Sequence, residues 1–233
     1  MDFKELLQKV NIELTDEKAS SFDTYYKFLI EYNEKVNLTA ITDYEGVYLK
    51  HFYDSLILSC AIDLNQKVRC CDVGAGAGFP SVPNAICFPK LDVTIIDALN
   101  KRIMFLNELV KNLKLTNVKA IHARAEEYAK EEWENFDLVT ARAVARLNIL
   151  AELCLPLVKL GGYFIAMKGQ EGNEEYNEAK KALALLGGKL EKEVEMTLPY
   201  DLGRRTILVI KKVSNTPKKY PRAFAQIKKS PLK

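Results

Sequence analysis

Gly74, Gly76 and Gly78 stand at every second position in the run Asp72-Val73-Gly74-Ala75-Gly76-Ala77-Gly78-Phe79-Pro80. Glycine has no Cβ, so such a loop can bring backbone N–H groups close to a ligand. A short apolar run, Val68-Arg69-Cys70-Cys71, precedes it and reads as a strand. The dinucleotide fingerprint needs the spacing G-x-G-x-x-G, its last glycine letting a helix pack on the strand. Here the third glycine comes one residue early and Phe79 takes its place. That spacing favours an adenosyl ligand over a pyrophosphate, with Phe79 either walling the pocket or packing in the core. Asp97, nineteen residues past Gly78, ends the next apolar run and can accept from both ribose hydroxyls. Beyond a third such run, Ala125 can offer a backbone N–H to an adenine edge, with Glu126 beside it. Glu126 and Glu127 read equally well as acids in the first turn of a helix.

A second set of residues lies where a transferred group would be delivered. In an open parallel sheet, ligands sit outside the carboxyl ends of the strands, at the switch point. Residues 136–140 read as the strand next to the first one, and Thr140-Ala141-Arg142-Ala143-Val144-Ala145-Arg146 follows. Arg142 therefore faces the delivery site. Its guanidinium can bind phosphate, a carboxylate or the edge of guanine bidentately, with an internal salt bridge as the competing role. Lys168 closes the fifth strand and borders the same cleft. His51 and Asp54, three residues apart on a helix, share a face and are suited to fastening that helix to the cleft.

These residues need a scaffold, and the hydrophobic period supplies one. Phe3, Leu6, Leu7 and Val10, then Phe22, Tyr25, Tyr26, Leu29 and Ile30, repeat at helical spacing. Thr15 suits the N-cap of the second helix, with Lys18 where a capping box would have Glu. From Lys67 onward strands alternate with helices: strands over 68–73, 92–97, 118–122, 136–140 and 161–167, helices over 101–113, 147–155 and 173–186. The stretches 189–198 and 205–211 look like a closing antiparallel pair. Repeated β-α units imply a parallel sheet covered by helices on both faces. The expected architecture is α/β, with a seven-stranded, mostly parallel sheet and an N-terminal helical cap. The cap spans residues 1–62, and residues 63–233 form the sheet domain with a basic C-terminal tail. An acidic residue ahead of G-x-G-x-G on such a sheet is the pattern of Rossmann-like class I S-adenosylmethionine-dependent methyltransferases.

Bulk properties narrow the class. Hydrophobic residues make up 48% of the chain and charged residues 28%, with a net charge of +3. Lys211 to Lys233 holds eight Lys or Arg residues and no Asp or Glu, which suits an anion-binding arm or a solvated terminus. The five cysteines include no C-x-x-C pair, and the two histidines have no partner at ligand spacing. No metal site, membrane span or signal peptide is expected, and the chain reads as a cytoplasmic protein.

The motifs together resemble one family. Tyr32-Asn33-Glu34-Lys35-Val36-Asn37-Leu38-Thr39-Ala40-Ile41 is similar to the W-N-x-x-x-N-L-T-A stretch of the GidB family, guanine nitrogen-7 methyltransferases of small-subunit ribosomal RNA. The resemblance continues through His51-Phe52-Tyr53-Asp54-Ser55-Leu56, the glycine loop, Lys101-Arg102-Ile103-Met104-Phe105-Leu106, Arg142-Ala143-Val144-Ala145, Lys168-Gly169 and Tyr220-Pro221-Arg222. Tyr32 departs from the family's Trp, Ser81 from Gly, Ala141 from Ser, and Asn100 is atypical. The resemblance implies S-adenosylmethionine as the methyl donor, held at Gly74, Phe79, Ala125, Glu126 and Arg142. It also implies 16S ribosomal RNA or the small subunit as partner. Lys101, Arg102, Arg204, Arg205 and Arg222 become candidates to hold RNA phosphates or the guanine, with Arg142 and Lys168 at the reaction centre. Nitrogen 7 of guanine carries a lone pair and no proton at neutral pH, so its methylation needs positioning more than a base. A small-molecule or protein methyltransferase on the same fold is the alternative, because fold alone does not set the substrate.

Overall fold

The computed structural model describes residues 2–233. Helices α1 (Phe3–Gln8) and α2 (Asp16–Val36) open the chain, followed by α3 (Tyr44–Val47), a π-helical stretch Tyr48–Tyr53, α4 (Asp54–Leu56) and a 3-10 turn Ile57–Cys60. Thr15 caps α2 by accepting the N–H of Lys18, and Asp16 and Glu17 complement the positive end of the helix. Asn37 ends α2 in the left-handed conformation, which Asn tolerates. Phe22, Tyr25 and Phe52 are fully buried, with ring centroids 5.0–5.1 Å apart in the Phe22–Phe52 and Tyr25–Phe52 pairs. Each such side chain contributes roughly 1.5–3 kcal/mol of hydrophobic stabilisation.

The sheet then alternates with helices: β1 (Val68–Val73), α5 (Ser81–Cys87), β2 (Leu91–Asp97), α6 (Asn100–Asn112), β3 (Val118–His122), α7 (Ala125–Glu131), β4 (Phe136–Arg142), α8 (Leu147–Cys154), β5 (Val158–Lys168), α9 (Gly172–Leu185), β6 (Gly188–Thr197), β7 (Arg204–Lys212) and α10 (Phe224–Lys229). The order is β3-β2-β1-β4-β5-β7-β6. The first five strands are mutually parallel, and β7 pairs antiparallel with both β5 and β6. Strand order reverses between β1 and β4, which puts the ends of these two strands at the switch point. Cys70 packs on one face of the sheet and Cys71 on the other, the period-two alternation of a strand covered on both sides. All five cysteines are free thiols.

The basic C-terminal tail folds back onto the molecule. Tyr220 and Ile227 are buried in the core layer that contains α8. The Lys212 ammonium is fully buried, donates to the Leu155 carbonyl at 2.7 Å and pairs with Glu134 at 3.2 Å. Tyr220, Ile227 and the charge-paired Lys212 anchor the segment, while Lys218, Lys219, Lys228, Lys229 and Lys233 stay exposed along it. No helix among the described residues is long and apolar enough to cross a membrane.

Candidate active site

The glycine loop leaves β1 and turns three times through positive φ, at Gly74 (75°), Gly76 (61°) and Gly78 (99°). A Cβ on Gly78 would stand 2.6 Å from the Tyr25 hydroxyl and 2.8 Å from Val82. That hydroxyl donates to the Ala77 carbonyl at 2.5 Å, so α2 braces the loop from behind. A Cβ on Gly76 would meet nothing within 4 Å, so this part of the loop borders open space.

The loop forms one wall of a cleft of about 460 Å³. Asp97, Arg102, Ala125 and Glu126 line its far end, and Thr39, His51, Phe79, Arg142 and Val144 its near end. Asp97 ends β2 with its carboxylate accepting from Leu99 N–H at 2.9 Å, Gly76 N–H at 3.3 Å and Arg102 at 3.1 Å. Glu126 lies in the first turn of α7 and pairs with Arg124 at 3.5 Å. Glu126 is thus a first-turn acid that also lines the cleft. Asp72, at the end of β1, is fully buried, takes the Ser81 N–H on Oδ2 at 3.2 Å and leaves Oδ1 without a partner. Burial pushes its carboxyl up to about 7.

These features fit the adenosyl methyl donor. A glycine cradle, the Asp97 carboxylate and the Phe79 ring surround a space within the size range of small-molecule sites. The buried Oδ1 of Asp72 behind the loop has no partner, an orphaned polar atom beside the glycine cradle.

Arg142 sits at the near end, and the structure gives its guanidinium mostly internal partners. Nη1 donates to Asp54 at 2.8 Å and to the Lys50 carbonyl at 3.3 Å, and Nη2 faces His51 Nδ1 at 3.4 Å. Its carbon lies 5.0 Å from the centroid of Phe79, whose ring stacks on His51 at 4.5 Å. Arg205 donates to the other oxygen of Asp54 at 2.7 Å. Asp54 thus binds the ends of β4 and β7 to the helical cap, the fastening role that its spacing from His51 suggested. Burial, and next the positive charge of Arg142, push His51 down to about 4.

A second cavity, of about 650 Å³, adjoins the first through His51, Arg142, Ala143 and Val144. Lys168 borders it but is turned inward, pairing with Glu175 at 2.7 Å and donating to the Ala145 carbonyl at 2.5 Å. It holds the segment after β4 in place while lining the cavity. Arg222 likewise has an internal partner. Its guanidinium grips fully buried Glu152, with Nε at 2.8 Å and Nη2 at 2.6 Å, so an internal carboxylate replaces the expected phosphate. Arg102 and Arg205 also have internal carboxylate partners, and Lys101 donates to the Val36 carbonyl at 3.3 Å. Arg204 is exposed. Sequence reasoning missed Tyr25 as a brace and Phe224 of α10 as part of the cleft lining. Only the helical period marked Tyr25, and nothing local marked Phe224.

Comparison with known proteins agrees with this geometry. The pattern of GidB, rRNA small subunit methyltransferase G, matches residues 18–201. The chain belongs to the GidB family. A ribosomal RNA small subunit methyltransferase G of Staphylococcus carnosus is 54% identical over 231 residues, covering 98% of this chain and 96% of that protein. One from Lysinibacillus sphaericus is 53% identical, covering 99% and 98%. Among solved structures, TrmN from Thermus thermophilus superposes with a TM-score of 0.56 at 18% identity, over 70% of this chain and 49% of that one. Fibrillarin of Aeropyrum pernix, solved with natively bound S-adenosyl-L-methionine, gives 0.52 at 15% identity, over 67% and 72%. At such identities these structures speak for the fold alone. As a GidB-family member with a Rossmann-like class I sheet, the chain is an rRNA methyltransferase.

Proposed function

We propose that this GidB-family enzyme transfers the methyl group of S-adenosylmethionine to nitrogen 7 of a guanine in small-subunit (16S) ribosomal RNA. One observation carries the choice of acceptor atom. Of the groups lining the second cavity that could take a proton, Asp54, Glu175 and His51 already have partners, and Glu171 lies exposed to solvent. Asp54 is held by two arginines, Glu175 by Lys168, and His51 presents Nδ1 to a guanidinium. An exocyclic amine or a hydroxyl must lose a proton on methylation and would need a base there. Guanine nitrogen 7 attacks with a lone pair and loses none. The donor, when bound, supplies an electrophilic sulfonium methyl. The chain holds it on the glycine loop, keeps the Arg142 wall in place through Asp54, and leaves the near end of the cleft, with the second cavity beyond it, for the base. In this reading residues 1–62 roof the acceptor side and residues 63–233 carry the donor.

The test is transfer of labelled methyl from S-adenosylmethionine, offered small-subunit ribosomal RNA, the assembled subunit, or a panel of small molecules and proteins. Label in the RNA or the subunit is expected. Label confined to the small molecules or proteins would replace this reading by the alternative on the same fold.

A further inference from the structure

Thr39 belongs to the Asn33–Ala40 motif and lines the cleft, yet nothing above gives it a task. Its backbone is pinned by Asn33, whose side-chain oxygen accepts from Leu38 N–H at 2.6 Å and Thr39 N–H at 2.9 Å, and whose amide donates to the Thr39 carbonyl at 3.0 Å. Its hydroxyl oxygen accepts from Ile41 N–H at 3.0 Å and lies 2.8 Å from His51 Nε2. The far side of the imidazole fixes the direction of this last bond. Nδ1 faces Arg142 Nη2, a group that only donates, so Nδ1 is bare and Nε2 carries the proton. The depressed basicity of His51 keeps the ring neutral near pH 7. Nε2–H therefore donates to Thr39. A hydroxyl has one proton and two lone pairs. Both lone pairs of Thr39 are taken, and its proton finds no acceptor among the described residues. That leaves a donor of fixed polarity at the end of the cleft where Arg142 stands.

We propose that the Thr39 hydroxyl determines base specificity by donating to O6 of the acceptor guanine. The proposal rests on the guanine nitrogen-7 reading above. O6 and nitrogen 7 lie side by side on one edge of the base, so a bond to O6 fixes where nitrogen 7 points. Adenine carries an amino donor at that position, and donor would meet donor.

The test compares methyl transfer by wild type, Thr39→Val and Thr39→Ser on two RNAs, with guanine or 2-aminopurine at the target. 2-Aminopurine keeps nitrogen 7 and lacks O6. For wild type, kcat/KM is expected to fall about 10- to 100-fold on the 2-aminopurine RNA. Thr39→Val should lose a similar factor on guanine and nothing further on 2-aminopurine, with unchanged affinity for S-adenosylhomocysteine. Thr39→Ser should behave as wild type. Equal wild-type rates on both RNAs overturn the inference even if the valine variant does not fold. A valine defect that multiplies with the base change, or that appears in S-adenosylhomocysteine affinity, overturns it as well. Borohydride–aniline cleavage of wild-type product RNA separates the levels. Cleavage at a guanine with any of these failures refutes Thr39 alone, whereas methylated RNA without cleavage refutes the nitrogen-7 reading together with it.

Discussion

Asp72 and His51 are two residues near the cleft whose protonation is displaced in opposite directions. Asp72 titrates at about 7 instead of near 3.8, because burial disfavours its charge. Between these values the folded protein keeps a proton that the unfolded chain has released. Its contribution is therefore fully present at low pH and is lost as pH rises through 7, by roughly 4 kcal/mol in total. His51 titrates at about 4 instead of 6.5, so folding excludes a proton that the unfolded chain binds. Its contribution is present above pH 6.5 and is lost as pH falls toward 4, by roughly 3 kcal/mol. The two slopes oppose each other in the wild type. Denaturant unfolding from pH 4 to 7.5 should show Asp72→Asn gaining stability with rising pH more steeply than wild type. His51→Gln should show the reverse trend. Parallel curves for all three proteins would mean that neither group has the burial described.

At the scale of elements, the glycine loop and the Asn33–Ala40 turn do most of the positioning. Gly76 and Gly78 both have positive φ, but only Gly78 has neighbours where a Cβ would go. Gly76→Ala should cost about 1 kcal/mol, the penalty of left-handed backbone alone. Gly78→Ala must also displace Tyr25 or Val82 and should cost at least about 2 kcal/mol, with weaker S-adenosylhomocysteine binding. Equal losses in urea unfolding would remove Tyr25 as the brace. The loop, its strand and the helix after it were legible because glycine spacing and a short apolar run are local signals. The closing antiparallel pair was legible for the same reason. Helix α7 was half-legible: Glu126 and Glu127 marked a first turn, but its seven residues carry too few periodic positions to declare a helix. Within the irregular stretch from Tyr44 to Cys60, Val47 to Leu56 reads in sequence as one helix, since a π-helical register leaves apolar spacing nearly unchanged over a single turn.

For the whole molecule, the sheet order and the switch point followed from alternating β-α units, whereas the partners of the basic residues did not. Net charge in a tail says nothing about the buried carboxylate that awaits it. Glu152 sits on α8, seventy positions before Arg222, and no local pattern links them. Arg222→Ala leaves Glu152 buried and unpaired and should cost about 3–5 kcal/mol. The salt dependence of RNA binding should stay at the parent's slope, because no phosphate contact is lost. A shallower slope with intact stability would return Arg222 to the RNA interface. The central claim is that a cleft whose Asp54, Glu175 and His51 are all engaged methylates a ring nitrogen that needs no base. Mass spectrometry of nucleosides from small-subunit ribosomal RNA, incubated with the enzyme and S-adenosylmethionine, addresses it directly. The predicted result is 7-methylguanosine as the sole new nucleoside; a methyl group on an exocyclic amine or a ribose hydroxyl would contradict it.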